Sequence, residues 1–450
     1  MSRRSCNACS DLAKVAPEVP PGEITPRVVL GIDFGTSNSA AAAVDASGQL
    51  RVMPLEADRA AMPTALFFCH ETQQTFYGSQ AMQAYLGGTE GRLMRAIKSL
   101  LGSALMDEQT VVNGQVISFF DIVVLFFKAL KARSEAALGH EITHATLGRP
   151  VHFVDDDAQR DALAQATLGR AAQAAGFAHI AFELEPIAAA FDYEQRVRQE
   201  TTALVVDMGG GTSDFTVIRL GPKRRQQADR RSDILATTGV HLGGTDFDRL
   251  LNLDHVMPLL GYGHLGREGR AVPNSLFFEL STWHLIHHAY TRKSLHFARE
   301  LWTSYADLSL HARLMDVLEN RDGHRLLAAV EAAKIACSES QGSAAIDLHF
   351  LKAAQASGIN GHAEPTITAP GMAATLGQAL SQVVQCARQC VQDAGLATVD
   401  VVYLTGGSSA LQPLREAMQA AYPQAELVHG DRFGGVAAGL AWAGFHAQRD

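Results

Sequence analysis

A buried strand, a glycine-rich turn and a second strand follow one another at two places in this sequence. The first turn, 33–37, reads DFGTS, and the second, 207–214, reads DMGGGTSD. Each is followed by a β-rich run, 39–44 in the first copy and 215–220 in the second, so each copy predicts a β-hairpin. Two related lobes follow from this repetition.

The remainder of the chain alternates apolar runs of strand length with helical patterns. A third buried strand, 401–404, ends in a glycine turn, and a helix is predicted from about Leu411 with Pro413 in its first turn. Residues 157–175 predict an alanine-rich helix closed by Gly176. Alternating strands and helices are typical of an α/β protein.

Composition narrows the class of protein. The chain has 450 residues, 47% of them hydrophobic, so it can bury the cores of more than one lobe. Its formal net charge of -9 gives no general attraction to nucleic acid or to an anionic membrane. Because the sequence has neither a signal-peptide run nor an apolar run of membrane-spanning length, we predict a cytoplasmic protein without nucleic-acid or membrane partners.

The six cysteines are scattered along the chain, which favours reduced thiols over a disulfide framework. Only Cys6 and Cys9 have the spacing of metal ligands. A zinc site needs four ligands and no second pair stands nearby, so a flexible tail is favoured over a metal site.

The glycine turns indicate what the cleft between the lobes binds. A phosphate chain needs backbone N–H donors at close range, and glycine-rich turns supply them without a Cβ clash. One such turn alone fits a tight hairpin equally well. Two turns, each next to an aspartate at the end of a buried strand (Asp33 and Asp207), favour phosphate binding with a hydrated Mg²⁺ between the carboxylates.

Eight motifs extend this prediction over nearly the whole chain. They are GIDFGTSNS (31–39), AIKSLLG (96–102), LGRPVHF (147–153), ELEPIAAAFDYE (183–194), VVDMGGGTSDFTV (205–217), GVHLGGTDFD (239–248), EAAKIACSES (331–340) and LTGGSSALQPL (404–414). In this order they resemble the nucleotide-binding domain of the DnaK-type heat-shock protein 70 family, and most of all its short YegD-like members. The resemblance implies an α/β, actin-like ATPase fold with two lobes, each a mixed β-sheet flanked by helices, around a central nucleotide cleft.

The repetition and the resemblance together divide the chain into four parts. They are a flexible N-terminal tail (1–26), lobe I (27–200), lobe II (201–430) with an insertion at about 266–312, and a C-terminal connecting helix (431–450). No peptide-binding domain like that of larger family members is expected within the chain.

The resemblance also implies the ligands, ATP or ADP with Mg²⁺, and the residues that bind them. Asp33 and Asp207 would lie beside the Mg²⁺, and Lys98, Glu185, Asp207 and Thr212 would act in hydrolysis. The residues implied to bind the nucleotide are Gly35, Thr36, Ser37, Asn38, Gly209, Gly210, Gly211, Thr212, Ser213, Gly244, Lys334, Ser338, Gly406, Gly407 and Ser408.

Two regions depart from the family pattern. Ile335 and Ala410 stand where the family has arginines that stack on adenine, so modest base selectivity is expected. In the insertion, His284 and His288 have the spacing of one helical turn, but no acidic residue completes a metal site and packing or surface roles are favoured. The basic run after the second turn, 223–231, is expected to be a solvated loop.

The leading hypothesis is a monomeric ATP-dependent switch of the chaperone or co-chaperone kind. It would hydrolyse ATP slowly, and a partner protein bound at the insertion or at the surface of lobe II would sense lobe closure. The alternatives are a non-hydrolysing nucleotide-binding regulator, a small-molecule kinase or polyphosphate phosphatase of the same fold, and an actin-like filament former.

Overall fold

The computed structural model describes residues 28–448 except 46, 58, 155–156, 228–229, 267, 341, 352–364 and 432–433. The predicted tail, 1–26, with Cys6 and Cys9, lies outside the described residues. Cys69, Cys337, Cys386 and Cys390, the cysteines that the structure describes, form no disulfide with one another. In the described part of the chain, no helix is both long and apolar enough to cross a lipid bilayer.

Lobe I is built on a mixed sheet in the order β11-β10-β1-β2-β3, with β4 also paired to β2. Strand β1 lies parallel to β10 and antiparallel to β2. The strands of this sheet are β1 Val29–Phe34, β2 Asn38–Val44, β3 Leu50–Val52, β4 Ala61–Pro63, β10 His144–Arg149 and β11 His179–Leu184.

Two smaller sheets and three helices complete lobe I. The remaining elements are β5 Ala65–Cys69, β6 Thr75–Tyr77, β7 Gly91–Arg95, β8 Gln109–Val112, β9 Gln115–Ser118, α1 Gly78–Leu86, α2 Phe119–Leu138 and α3 Ala158–Ala174. Helix α2 begins at a capping box formed by Ser118 and Asp121 and ends at Gly139 in the left-handed conformation. It packs on the central strand through Phe127, whose ring centroid lies 5.1 Å from that of Phe34.

Lobe II repeats the arrangement of lobe I. Its sheet has the order β14-β13-β12-β17-β18, with β12 antiparallel to β13 and parallel to β17. The strands of lobe II are β12 Thr201–Met208, β13 Ser213–Leu220, β14 Ile234–Val240, β15 Ser343–Ala345, β16 Thr366–Thr368, β17 Val401–Thr405 and β18 Glu426–His429. Strands β1 and β12 have the same neighbours in the same directions, so the repeated hairpin in the sequence marks a repeated lobe. The α/β prediction is confirmed.

Most helices of lobe II lie between β14 and β17. They are α5 Gly244–His255, α6 Ser275–Ser281, α7 Ile286–Ala289, α8 Arg292–Glu300, α9 Leu308–Asn320, α10 Gly323–Ser340 and α11 Ala369–Asp393, and α12 Gln412–Ala421 follows β17. The predicted insertion therefore forms α6 to α8 and the start of α9. His284 lies in a turn before α7, so it does not share a continuous helix with His288, and both side chains are exposed.

Two helices join the lobes, α4 Glu185–Arg196 and α13 Gly435–Ala447. Helix α4 follows the sheet of lobe I but packs in a cluster with side chains of β12 and β17, whereas α13 packs on β1 and β2. The helices contact each other closely, and a Cβ at Gly439 would collide with the Ala188 carbonyl. Each lobe is thus covered by the helix that leads away from the other.

The crossing predicts that Gly439→Val will destabilise the protein. Added methyl groups must displace the α4 backbone, and overpacking of this kind costs about 1–3 kcal/mol or more. Gly377→Ala in α11 is the matched control, because a Cβ there meets nothing within 4 Å. Thermal unfolding should show a lower midpoint for Gly439→Val and an unchanged or higher one for the control; equal midpoints would contradict the tight crossing.

The basic run 223–231 differs from its prediction. Arg230 is 8% exposed and donates two hydrogen bonds of 2.9 Å to Glu194, which is 1% exposed. Arg224 and Arg230 both pair with the fully buried Asp233. The expectation of a solvated loop is therefore wrong for these two arginines, because buried carboxylates neutralise them, while Lys223 and Arg225 are exposed.

Candidate functional site

The two aspartates that end β1 and β12 share one cleft. Burial raises the pKa of Asp33 to about 7, and the negative charge of Glu185 adds to the shift while Lys98 opposes it. Burial likewise raises the pKa of Asp207 to about 8, with further contributions from Asp214, Glu185 and Asp33. Since Asp33 and Asp207 belong to different lobes and act on each other, the structure brings these two predicted residues together.

Lys98 provides positive charge beside these carboxylates. Its Nζ lies 2.9 Å from Glu185 Oε1, and both side chains are nearly buried. Burial alone would lower the pKa of Lys98, but Glu185 and Asp33 outweigh it, so the pKa is raised and the ammonium stays charged. Lys98 lies in a short 3-10 helix that follows Ala96 in the left-handed conformation, and Glu185 is the first residue of α4.

The first and second glycine turns touch each other across the cleft. A Cβ at Gly210 would collide with Ser37 Oγ, so the glycine allows the two turns to approach. Gly35 and Thr36 are partly buried beside Ser37, and Asn38 is exposed at the start of β2. The predicted phosphate-binding segments are therefore neighbours in space.

Side chains around the second turn have specific partners. Thr212 Oγ1 donates to Asp214 Oδ2 at 3.0 Å, at the open side of the turn. Ser213 is fully buried and donates to the Leu242 carbonyl at 2.6 Å, so its hydroxyl faces the lobe interior. Gly209 and Gly211 contribute only backbone groups to the turn, and the Gly209 N–H donates to the Thr212 carbonyl at 2.9 Å.

The third turn supports Asp207. A Cβ at Gly406, whose φ is +83°, would collide with Asp207 Oδ1, so only glycine fits beside this carboxylate. Gly407 begins a short 3-10 helix, and Ser408 Oγ donates to the Gly209 carbonyl at 3.0 Å. Ser408, which follows β17, thus restrains the second turn.

The residues predicted at the base end lie on α5 and α10. Lys334 Nζ lies 2.8 Å from Asp248 Oδ1 and donates to the Gly244 carbonyl at 3.3 Å. Ser338 Oγ donates to the Lys334 carbonyl at 2.8 Å, within the helix. Ile335, also on α10, is 47% exposed.

A family model described as Hsp70 protein matches residues 29–260, which is more than half of the chain. The chain belongs to the Hsp70 family. It is 32% identical over 225 residues to the chaperone protein DnaK of Thermotoga neapolitana, covering 50% of this chain and 35% of that protein. It is 33% identical over 242 residues to a chaperone protein HscA homolog of Methylobacillus flagellatus, covering 50% of this chain and 36% of that protein. The chain thus spans about a third of the length of these two curated relatives.

The matched region of this Hsp70-family nucleotide-binding domain includes Asp33, Lys98, Glu185 and Thr212, whereas the base-end residues on α10 lie beyond it. Of the residues predicted at the base end, Gly244 lies inside the matched region, and Lys334 and Ser338 lie beyond it.

The carboxylates of this cleft fit a hydrated Mg²⁺. Among the residues that the structure describes, no three His, Cys, Asp or Glu side chains are arranged to ligate one ion. Mg²⁺ in nucleotide sites usually keeps several waters and takes one or two carboxylates plus phosphate oxygens. Asp33 and Asp207, which lie with Glu185 near the positive charge of Lys98, suit such an ion.

The raised pKa values predict how stability changes with pH. A carboxyl whose pKa rises on folding, to about 7 for Asp33 and about 8 for Asp207, lowers stability progressively as the pH rises from its ordinary pKa of 3.8 through its folded value. Without divalent ions, the unfolding temperature should fall as the pH rises from about 6 to about 8.5. Mg²⁺, which binds ionised carboxylates, should raise it more at the higher pH. Thermal unfolding at both pH values measures this, and Asp207→Asn should lose most of the dependence; a parent midpoint that rises with pH would contradict it.

Lobe I and lobe II also meet through aromatic residues. Tyr85 of α1 has its hydroxyl 2.9 Å from His324 Nδ1 of α10. The guanidinium carbon of Arg95 in β7 lies 4.5 Å from the ring centroid of Trp283, in the insertion, and Trp283 packs edge-on against His324. Burial lowers the pKa of His324 to about 4, so the imidazole is neutral at physiological pH. This cluster of Tyr85, Arg95, Trp283 and His324, which the sequence analysis missed, joins α1 and β7 of lobe I to lobe II.

Proposed function

We propose that this domain binds ATP and ADP with Mg²⁺ in the cleft, hydrolyses ATP slowly and changes its lobe closure with the nucleotide. The observation that carries the proposal is the Lys98–Glu185 pair, held beside aspartates from both lobes and next to two touching glycine turns. Carboxylates whose pKa values are raised by burial and by neighbouring charges, beside a paired lysine in a cleft, are typical of functional sites.

The chain's own residues would act by position and charge. Backbone N–H groups of the two turns would bind the phosphates, and Lys98 would neutralise charge that develops on the transferred phosphoryl group. Glu185, which holds Lys98 by a hydrogen bond, would orient it and the attacking water. Asp33 and Asp207 would hold a hydrated Mg²⁺, which would supply positive charge to the phosphates. No covalent intermediate with the protein is required, because the chemistry rests on positioning.

Nucleotide titration followed by a turnover assay tests the proposal. Calorimetry with ATP, ADP and GTP in Mg²⁺ should give binding, and phosphate release should show slow turnover. Binding without turnover would favour the regulator. Phosphate transfer to sugars would favour the kinase alternative, and sedimentation of the protein in ATP would favour a filament. Absence of binding to any nucleotide would contradict all of these functions.

The partner proposal rests on the insertion and its surroundings. Large apolar side chains are exposed there, namely Leu265 (60%), Phe278 (43%), Phe297 (37%), Trp302 (53%) and Leu308 (46%). Because Trp283 in the same insertion contacts Arg95 of lobe I, lobe opening would move this surface relative to lobe I. We propose that a protein partner senses closure here and that the domain acts in a chaperone system, as the names of the DnaK and HscA relatives suggest.

Discrimination between ATP and GTP is expected to be about tenfold or less, which corresponds to about 1.4 kcal/mol. Ile335 offers apolar contact and no hydrogen bond with which to reject the wrong base. Ile335→Arg should tighten ATP binding by supplying a cation that stacks on the purine. Calorimetry measures both effects. Strong rejection of GTP by the parent, or an unchanged affinity in the variant, would assign base recognition to other residues.

A further inference from the structure

Thr64, which lies between β4 and β5, holds the first glycine turn from outside the cleft. It is fully buried. Its backbone N–H donates to the Ser37 carbonyl at 2.8 Å, and its hydroxyl donates to the Gly35 carbonyl at 2.8 Å. The buried Ser39 Oγ lies 2.8 Å from Thr64 Oγ1. One residue outside the nucleotide-binding motifs therefore contacts two carbonyls of the turn.

The direction of this hydrogen-bond chain follows from its donors. A threonine hydroxyl has a single proton, and the Gly35 carbonyl can only accept. The Thr64 proton is therefore used on Gly35, and Ser39 must donate to Thr64. All three groups are satisfied in one arrangement only.

Fixing the carbonyls fixes where the N–H groups of the turn point. In a trans peptide unit the carbonyl and the N–H lie on opposite sides. Since the carbonyls of Gly35 and Ser37 point to Thr64, the N–H groups of Thr36 and Asn38 point to the opposite side of the turn. An anion needs this arrangement, because donors must face it and carbonyls must not.

The second turn is restrained in the same way by other residues. The Gly209 carbonyl accepts from the Gly244 N–H at 3.1 Å and from the Ser408 hydroxyl at 3.0 Å. The Gly210 carbonyl accepts from the N–H of Thr245 at 2.8 Å and from its hydroxyl at 2.7 Å. In both lobes, a side-chain hydroxyl from another segment of the chain donates a hydrogen bond to a carbonyl of the turn and fixes its direction.

We propose that Thr64 is a positioning residue for phosphate binding, which selects the peptide orientation that presents N–H donors of the first turn to the phosphates. The proposal rests on the proposed nucleotide binding in this cleft and adds a determinant of that site. It concerns the phosphates alone, since the hydrogen bonds of Thr64 go to the first turn and to Ser39.

The test compares a ligand with phosphates and one without. Thr64→Val keeps the branched shape and the backbone N–H but removes the hydroxyl, and Thr64→Ser retains the hydroxyl. Affinities for Mg²⁺-ADP are measured by calorimetry, and affinities for adenosine by NMR titration. We expect Thr64→Val to weaken Mg²⁺-ADP binding by about tenfold or more while adenosine binding changes by less than about twofold, and Thr64→Ser to stay within about threefold for ADP.

The other outcomes distinguish a failure of the positioning role from a failure of the proposed nucleotide binding. An equal loss for both ligands, or unchanged ADP binding in Thr64→Val, would overturn the positioning role and leave the proposed function standing. A parent protein that does not bind Mg²⁺-ADP would overturn both. If Thr64→Val does not fold, Thr64→Ala replaces it, with Ser39→Ala as the control that keeps the bond to Gly35. A loss of ADP affinity in Ser39→Ala as large as in Thr64→Ala would also overturn the proposal.

Discussion

Replacing Lys98 with alanine is expected to slow ATP hydrolysis by roughly 100- to 1000-fold, the loss seen when one preorganised electrostatic group is removed from an active site. The Lys98 ammonium is nearly buried, and nearby carboxylates raise its pKa, so it is charged and held in place. The ammonium acts on charge that develops as the phosphoryl group is transferred, so ATP affinity should change much less than the hydrolysis rate.

Single-turnover hydrolysis and calorimetry separate these two effects. Thr212→Ala should behave in the same sense, because Thr212 lies at the open side of the second turn beside Asp214. Lys128→Ala provides the control, since Lys128 is an exposed lysine on α2. Parent rates in both Lys98→Ala and Thr212→Ala would show that the chemistry has been assigned to the wrong residues.

Replacing Glu194 with alanine is expected to lower the free energy of unfolding by about 3–5 kcal/mol, the usual cost of removing one partner from a buried ion pair. The Glu194 carboxylate accepts two hydrogen bonds from Arg230 and one from the Gly221 N–H, at 3.0 Å. Its loss would leave the buried guanidinium with Asp233 alone and orphan the backbone donor. The C-terminal turn of α4 would be freed from the hairpin of lobe II.

Glu200 provides the matched comparison. It also pairs with an arginine of this hairpin, Arg224, but its side chain is 61% exposed. Exposed ion pairs contribute about 0–1 kcal/mol, so Glu200→Ala should be nearly neutral. Chemical denaturation of the two variants measures the difference. Equal stabilities would mean that the Glu194 network does not restrain α4.

Much of the fold could be predicted because its signals are local. The two glycine turns and their aspartates mark the repeated lobe, and both sheets have the predicted strands at those positions. Helix α3 ends before Gly176, whose φ of +103° suits glycine, and α12 carries its proline in the first turn. Backbone preferences of glycine and proline act within a few residues, so the sequence reports them directly.

Local sequence motifs also identified candidate site residues, but they did not show how those residues pair. Lys98 and Glu185 were proposed through family motifs, and they form an ion pair across 87 residues of chain. Their pairing could not be worked out from either segment alone. Ser213 belongs to the same motif as Thr212, yet its hydroxyl faces the interior, because side chains alternate across a strand.

The sequence by itself therefore determined the strand-turn-strand units, the aspartates beside them and the α/β class of the fold. Tertiary structure alone decided which groups hold them in place. The hydroxyl of Thr64 reaches the Gly35 carbonyl across 29 residues, the Glu194–Arg230 pair spans 36, and the Tyr85–His324 contact spans 239. Hydrogen bonds and ion pairs depend on distances of a few ångströms, and separations in sequence do not fix those distances until the lobes have packed.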